Sequence, residues 1–137
     1  MAQILMDSGP LVAYVLRDEQ HNTWVQNQMA SVKGPALTCE AVLVEAAYLV
    51  AERGGSPELL WNFLRRGVLQ IAFDLETEFE AVAALMRRYQ NLPMDLADAC
   101  LVRMSGLHLD CTVWTLDSDF RIYRCFSRQV IPVNCPD

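Results

Sequence analysis

Four acidic residues lie in segments of the sequence that are otherwise apolar. Two of them follow short apolar runs, at residues 4–6 and 113–116, and two stand alone inside longer apolar segments with helical spacing. A carboxylate in such surroundings costs several kcal/mol to remove from water unless it is protonated or paired. In chain order, these four acids are Asp7, Glu45, Asp98 and Asp117.

A shared divalent cation is the simplest partner for all four acids together. Taken one at a time, each carboxylate could instead pair with an arginine or cap a helix. Four such acids, two at strand ends and two on helices, favour one common ion. Mg²⁺ and Mn²⁺ prefer oxygen ligands, and the sequence contains no cluster of His or Cys residues typical of zinc. We therefore expect Mg²⁺ or Mn²⁺ as the cofactor.

Alternating strands and helices are predicted along the whole chain. The predicted strands are Gln3–Met6, Ala36–Thr38, Val68–Phe73 and Cys111–Leu116, with a last edge strand at Gln129–Val133. Four helices are predicted with both ends, at His21–Ser31, Cys39–Arg53, Glu76–Tyr89 and Asp95–Ser105. Three more are predicted in part: a first helix that continues over Leu11–Leu16, a helix that begins at Ser56-Pro57-Glu58, and a short helix that reaches Tyr123. This alternation indicates a parallel sheet wrapped by helices. Ligands bind such sheets at the carboxyl ends of the strands, which is where Asp7 and Asp117 are expected.

Length and composition indicate one globular domain over residues 1–137. No apolar run is long enough to span a bilayer, and we expect a soluble, cytoplasmic protein with no membrane contact. The five cysteines have irregular spacing, so reduced, buried thiols are expected. The net charge of −6 does not by itself predict a nucleic-acid partner. It remains compatible with one, because ten of the eleven basic residues are Arg, which binds phosphate well.

Four short segments of the sequence resemble the acidic motifs of PIN domains, in order and at suitable spacing. These segments are Leu5-Met6-Asp7-Ser8-Gly9-Pro10, Thr38 to Glu45, Asp95-Leu96-Ala97-Asp98-Ala99 and Thr115-Leu116-Asp117-Ser118-Asp119-Phe120. The resemblance is strongest to single-domain prokaryotic members, which include VapC-type toxins. It implies a three-layer α/β/α sandwich with a parallel sheet of about five strands. It also implies RNA cleavage dependent on Mg²⁺ or Mn²⁺, frequent homodimers and, for toxin members, an antitoxin partner.

Under this interpretation the catalytic and metal-binding residues are Asp7, Glu45, Asp98 and Asp117. Further residues could support them. Ser8 could donate to Asp7, hold a metal-bound water or cap a helix, and Thr115 could orient Asp117. Asp95 lies three residues before Asp98 on a helix, and Asp119 matches the family's auxiliary acid. The candidates for phosphate contacts are Arg121 and Arg124.

The sequence leaves three alternative functions to compare with a PIN-like nuclease. A phosphatase of the haloacid-dehalogenase kind also begins with a strand and an Asp, but it needs a second Asp two residues later, where this sequence has Gly9. A receiver-like signalling domain lacks support for the same reason. A non-catalytic RNA-binding or scaffold module on a PIN-like fold is disfavoured only by the intact set of four acids.

Overall fold

The computed structural model describes residues 2–125 and 128–136, and strands alternate with helices through these ranges. The strands are β1 (Gln3–Met6), β2 (Ala36–Thr38), β3 (Leu69–Ile71), β4 (Cys111–Trp114), β5 (Arg124–Cys125), β6 (Gln129–Val130) and β7 (Val133–Asn134). The α-helices are α1 (Ser8–Val15), α2 (Asn22–Ala30), α3 (Glu40–Glu52), α4 (Glu58–Arg65), α5 (Leu75–Arg88) and α6 (Leu96–Leu107). A short 3₁₀ helix, Ser118–Arg121, follows β4.

The main sheet has five strands in the order β3-β2-β1-β4-β7, and each neighbouring pair is parallel. β1 lies at its centre, between β2 and β4, and its Leu5 is fully buried. The predicted three-layer α/β/α sandwich with a five-stranded parallel sheet is therefore confirmed. Because the five strands run in one direction, their carboxyl ends meet at a single edge of the sheet.

The helices are close to their predicted positions, with ends shifted by one or two residues. The apolar helix predicted over Cys39–Arg53 is α3, and it stops just before Gly54, which has a φ of 85°. Glycine takes this left-handed conformation without a steric penalty, which explains the termination. None of the helices within the described ranges is long and apolar enough to cross a membrane.

The C-terminal part of the chain differs from the prediction. The single edge strand predicted over Gln129–Val133 is wrong, because two separate strands, β6 and β7, are found there. β6 pairs antiparallel with β5, which was not predicted, whereas β7 pairs parallel with β4 at the edge of the main sheet. Pro132 separates β6 from β7; it has no N–H to donate to a ladder, although its carbonyl accepts from Val113 N at 2.9 Å. The short helix predicted to reach Tyr123 ends at Arg121.

Candidate metal centre

Asp7 is the first residue after the central strand, and both of its carboxylate oxygens accept hydrogen bonds. Oδ1 accepts from the backbone N–H of Ser8 at 2.7 Å, so Asp7 is the N-cap of α1. Oδ2 accepts from the hydroxyl of Thr115 at 2.7 Å. The side chain is buried, with 6% of the residue exposed. The turn from β1 into α1 therefore fixes one carboxylate at the carboxyl edge of the sheet.

Thr115 connects Asp7 to Asp117. Its hydroxyl donates to Asp7 and also accepts from the backbone N–H of Asp117 at 2.9 Å. Asp117 in turn caps the 3₁₀ helix, since its Oδ1 accepts from Asp119 N at 2.9 Å. The predicted orienting role of Thr115 thus extends to two acids, because one fully buried hydroxyl joins the ends of β1 and β4.

Glu45 reaches the same edge from α3, which packs against α1. The Ser8 hydroxyl donates a short hydrogen bond to Glu45 Oε1. The helix-cap role considered for Ser8 is wrong, because the N-cap of α1 is Asp7, and the Ser8 hydroxyl bonds to Glu45 rather than to Asp7. Its role in holding a metal-bound water stays a prediction. Only the backbone N–H of Ser8 bonds to Asp7. Ser8 therefore links the acid on α3 to the acid after β1.

Asp98 lies in the first turn of α6 and forms a capping box with Asp95. Asp95 Oδ1 accepts from Asp98 N at 2.8 Å, and Asp98 Oδ2 accepts from Asp95 N at 3.2 Å. Each acid therefore satisfies one backbone donor at the start of the helix. Asp98 is buried, with 9% of the residue exposed, whereas Asp95 is exposed.

The four predicted acids line one pocket with a volume of about 330 Å³. None of the described residues lining it is basic. The ion pairs seen between described residues, Arg53–Glu19, Arg65–Glu58 and Arg103–Glu78, involve none of the four acids. The lining consists of Asp7, Ser8, Gly9, Glu45, Pro93, Asp95, Asp98, Leu116 and Asp117.

Four of the predicted supporting residues lie outside this lining: Thr115, Asp119, Arg121 and Arg124. Asp119 contributes its backbone N–H to Asp117. Nη1 of Arg124 donates to the carbonyls of Arg121, Ile122 and Tyr123 at 2.7–2.9 Å, at the end of the 3₁₀ helix. Phosphate binding by Arg121 and Arg124 stays a prediction.

Three pocket residues, Gly9, Pro93 and Leu116, were not predicted as site residues, although Gly9 and Leu116 lie within acidic motifs and Pro93 lies two residues before one. Leu116 also explains the glycine at position 9. A Cβ added to Gly9 would lie 3.0 Å from Leu116 Cγ and 3.1 Å from its Cδ1. Contacts this short force the neighbouring side chain to move, so the pocket wall favours glycine. The second Asp of a haloacid-dehalogenase-like enzyme would have to stand at this crowded position.

Burial and mutual repulsion oppose ionisation of the acids in the pocket. Burial is the main cause that raises the pKa of Asp7 to about 6, assisted by the charges of Glu45 and Asp117 and opposed by the hydrogen bonds from Thr115 and Ser8. Burial also raises the pKa of Asp98 to about 8, and the charges of Asp95, Asp7 and Asp117 add to the effect. Without a cation, the pocket therefore holds protons near neutral pH.

We expect the metal-free protein to be less stable at about pH 8 than at about pH 5. The folded state holds the protons of Asp7 and Asp98 more tightly than the unfolded chain does, because both pKa values lie above the ordinary value of 3.8 for Asp. Raising the pH from about 4 to about 8 removes these protons and lowers the free energy of unfolding. Melting curves in EDTA across this range measure the effect. A midpoint that rises with pH would contradict the raised pKa values.

The donor chemistry of the pocket fits a hard divalent cation. Its acids supply oxygen ligands only, and a cation would relieve the repulsion that raises the pKa values of Asp7 and Asp98. Within residues 2–125 and 128–136, no group of three His, Cys, Asp or Glu side chains is already arranged to hold a metal ion. The fit of a cation to this pocket therefore rests on three observations: the acids offer oxygen ligands, no basic residue among the described lining balances their charge, and all four line the same pocket.

The fold is a parallel α/β sandwich, and acids lie together at the carboxyl ends of its central strands. This combination is the one expected from the resemblance to PIN domains. The model of the PIN domain matches residues 4–124, and the chain belongs to the PIN domain family. Its structure is similar to that of VapC20 from Mycobacterium tuberculosis, described as a Sarcin-Ricin loop cleaving toxin. The TM-score is 0.71 at 17% sequence identity, over 85% of this chain and 92% of that chain. A comparison with the curated proteins gives no match.

Proposed function

We propose that this protein is a metal-dependent endoribonuclease that hydrolyses phosphodiester bonds in RNA. The observation that carries the proposal is the set of four carboxylates lining one pocket that contains no basic residue among its described lining. Membership of the PIN domain family supports the same assignment. The likeness to a toxin that cleaves the Sarcin-Ricin loop supports RNA as the substrate class.

Asp7, Glu45, Asp98 and Asp117 would hold Mg²⁺ or Mn²⁺. A cation bound there would lower the pKa of water for attack on phosphorus and stabilise the negative charge of the transition state. The protein's own contribution is to hold the carboxylates in place. Thr115 fixes Asp7 and the backbone of Asp117, and Ser8 fixes Glu45.

The negative pocket also explains why the reaction would depend on a cation for substrate approach. RNA phosphates carry negative charge, and the protein has a net charge of −6. Ionised carboxylates without a counter-charge repel a phosphate at close range. An RNA phosphate would therefore enter the pocket only after a bound cation has offset the negative charge of the acids. Arg121 and Arg124 remain our candidates for contacts with phosphates farther along the strand.

Assignment as the toxin of a toxin–antitoxin pair is a further part of the proposal. α3 presents two large apolar side chains to solvent one turn apart, Val44 at 72% and Tyr48 at 66% exposure. An exposed apolar pair on the helix that carries Glu45 is suited to contact with another protein. A homodimer, an antitoxin partner, a single domain over residues 1–137 and a cytoplasmic location all stay predictions.

Cleavage of RNA in the presence of Mg²⁺ or Mn²⁺, and its loss with EDTA, is the direct test. The substrates are total cellular RNA and short single-stranded and hairpin oligonucleotides, because the similar VapC20 is described as cleaving one RNA loop, the Sarcin-Ricin loop. We expect discrete fragments with metal and intact RNA with excess EDTA, with cleavage restored by adding Mn²⁺ back. Mapping of the new 5′ ends identifies the preferred site.

The same experiment distinguishes a nuclease from a non-catalytic RNA-binding or scaffold module. RNA that binds but stays intact with either metal would overturn the nuclease proposal and favour the non-catalytic RNA-binding module. The haloacid-dehalogenase-like alternative has lost its support, because the chain belongs to the PIN domain family and Gly9 is packed against Leu116.

A further inference from the structure

Two cysteine side chains from distant parts of the chain meet where α3 packs against α6. Cys39 is the N-cap of α3, and Cys100 lies in the second turn of α6. Both residues are free cysteines and almost completely buried, at 2% and 1% exposure. The two thiols are hydrogen-bonded to each other. The fold therefore places two reduced sulfur atoms side by side.

A small cavity adjoins both of these thiols. It has a volume of about 160 Å³ and reaches the surface at Glu40, which is exposed. Because a water molecule takes up about 30 Å³ in the liquid, a molecule as small as hydrogen peroxide fits into this space. The pair is therefore buried but within reach of a small oxidant. The lining consists of Cys39, Glu40, Ala41, Phe73, Leu75 and Cys100.

Two other buried cysteines, Cys111 and Cys125, have backbone partners instead. The Cys111 thiol donates to Ser105 O at 3.6 Å, and the Cys125 thiol donates to Gln129 O at 3.7 Å. Neither of them lines the cavity beside Cys39. A disulfide requires the two sulfur atoms to approach each other directly, and the contact between Cys39 and Cys100 already provides this approach.

The position of Cys39 at the start of α3 favours it as the sulfur that reacts first. Hydrogen bonding to the Cys100 thiol is the main cause that lowers the pKa of Cys39, and the backbone N–H groups of Val42 and Ala41 contribute, although burial opposes the shift. A thiol at a helix N-terminus reacts more readily because its thiolate is stabilised there.

We propose that Cys39 and Cys100 form a peroxide-sensitive dithiol site, and that its oxidation to a disulfide locks α3 to α6 and lowers the activity of the acidic pocket. The effect on activity rests on the proposed function, whereas the oxidation itself does not. In a reducing environment the pair stays as two thiols, so the disulfide forms only when a peroxide is present.

The oxidation takes place in two steps. The sulfur of Cys39 attacks one peroxide oxygen, so an S–O bond forms, the O–O bond breaks and one water leaves. The sulfur of Cys100 then attacks the sulfur of Cys39, which forms the S–S bond, breaks the S–O bond and releases a second water with the Cys100 proton. The two thiols together lose two electrons and two protons, and hydrogen peroxide is reduced to two waters.

The disulfide would connect the two helices that carry acids of the pocket. Glu45 lies on α3, and Asp98 lies two residues before Cys100 in the first turn of α6. Bonded sulfur atoms are about 2.0 Å apart, which is closer than unbonded thiols can lie, so the two helices have to shift. A shift of about 1 Å at a catalytic group is enough to lower a reaction rate strongly.

The test treats the metal-free protein with hydrogen peroxide, removes the peroxide with catalase and maps the cysteines by mass spectrometry. We expect a crosslink between the peptides of Cys39 and Cys100, with the loss of two hydrogen atoms. The melting midpoint should rise by about 5–15 °C, because the disulfide constrains the unfolded chain. RNA cleavage with Mn²⁺ should fall at least about 10-fold and return when the disulfide is reduced with a phosphine.

Cys39→Ser and Cys100→Ala remove the pair, and Cys111→Ser is the matched control. Serine is a preferred N-cap and alanine favours a helix, so both variants of the pair should fold, which melting curves with reductant check. Neither should form the crosslink or gain stability with peroxide, and Cys39→Ser should keep its activity. Cys111→Ser should respond as the wild type does, because its hydroxyl can still donate to Ser105 O.

Several outcomes would overturn the inference. One is the absence of the crosslink, or a crosslink formed by other cysteines. Another is a crosslinked protein that cleaves RNA as fast as the reduced protein does. A third is an equal loss of activity in peroxide-treated Cys39→Ser, which would assign the loss to other oxidised residues. If the reduced wild type does not cleave RNA, the proposed function fails instead, while the crosslink and the melting midpoint still decide whether the pair is oxidised.

Discussion

Replacing Asp98 by Asn is expected to lower the rate of RNA cleavage by at least about 10²–10³-fold while leaving the protein folded. The amide keeps the shape of the side chain but loses the negative charge that would hold the cation. Asp98 has no arginine partner in the ion pairs seen between described residues. Its charge is therefore available for a cation rather than used in a salt bridge.

The same replacement should cost little stability. An Asn side-chain oxygen can still accept from Asp95 N, so the capping box at the start of α6 is preserved. In EDTA above about pH 8, the variant should melt at a higher temperature than the wild type. Above this pH, Asp98 of the wild type is ionised in a buried position, because its pKa is raised to about 8, and this charge lowers the stability of the folded protein. The amide of the variant carries no charge.

Asp74→Asn provides the control for an acid that caps a helix outside the pocket. Asp74 is the N-cap of α5 and is exposed, and Thr77 Oγ1 donates to it at 2.7 Å. Cleavage should stay at the wild-type rate in this variant. A different result would contradict the catalytic role of Asp98: retained activity in Asp98→Asn together with a loss of roughly 3–5 kcal/mol in the free energy of unfolding. Asp98 would then be a structural acid whose removal leaves a buried positive charge without a partner.

Millimolar Mn²⁺ is expected to raise the melting temperature strongly relative to EDTA, and more so at about pH 8 than at about pH 5. A ligand that binds only the folded state adds about 2.7 kcal/mol at one hundred times its dissociation constant. At higher pH the cation also replaces the protons that Asp7 and Asp98 lose. Differential scanning fluorimetry at both pH values measures the shift.

The control for this shift is the Asp98→Asn variant, in which most of the stabilisation by Mn²⁺ should be lost. Asp74→Asn should keep the full shift, because it lies outside the pocket lining. Coincident melting curves with Mn²⁺ and EDTA at both pH values would mean that the pocket does not bind the metal. An equal shift in Asp98→Asn would place the bound ion elsewhere.

The sequence was most informative where short apolar runs were bounded by strong turn residues. β1 and β2 have the predicted limits, because Asp7-Ser8-Gly9-Pro10 and Lys33-Gly34-Pro35 mark their boundaries. Charged residues in apolar surroundings also indicated which acids would meet in the pocket. Both signals are local, since each can be read within about ten residues of the chain.

Features that depend on distant contacts could not be predicted in the same way. The hydroxyl of Ser8 binds Glu45, which is 37 residues away in the chain, and none of the roles expected for Ser8 involved this partner. The pairing of β5 with β6 depends on two residues in each strand, too few for a recognisable pattern.

The bond between Thr115 and Asp7 has a consequence for the synthesis of this protein. Asp7 is made before its hydroxyl partner, which follows 108 residues later in the chain. β4, which pairs along the full length of β1, also becomes available only then. A ribosome that has released only the residues before β4 therefore carries an incomplete set of acids. For the proposed nuclease, this order of assembly delays activity until Thr115 and Asp117 have left the ribosome, so the messenger RNA is not exposed to a complete site during the preceding steps of its own translation.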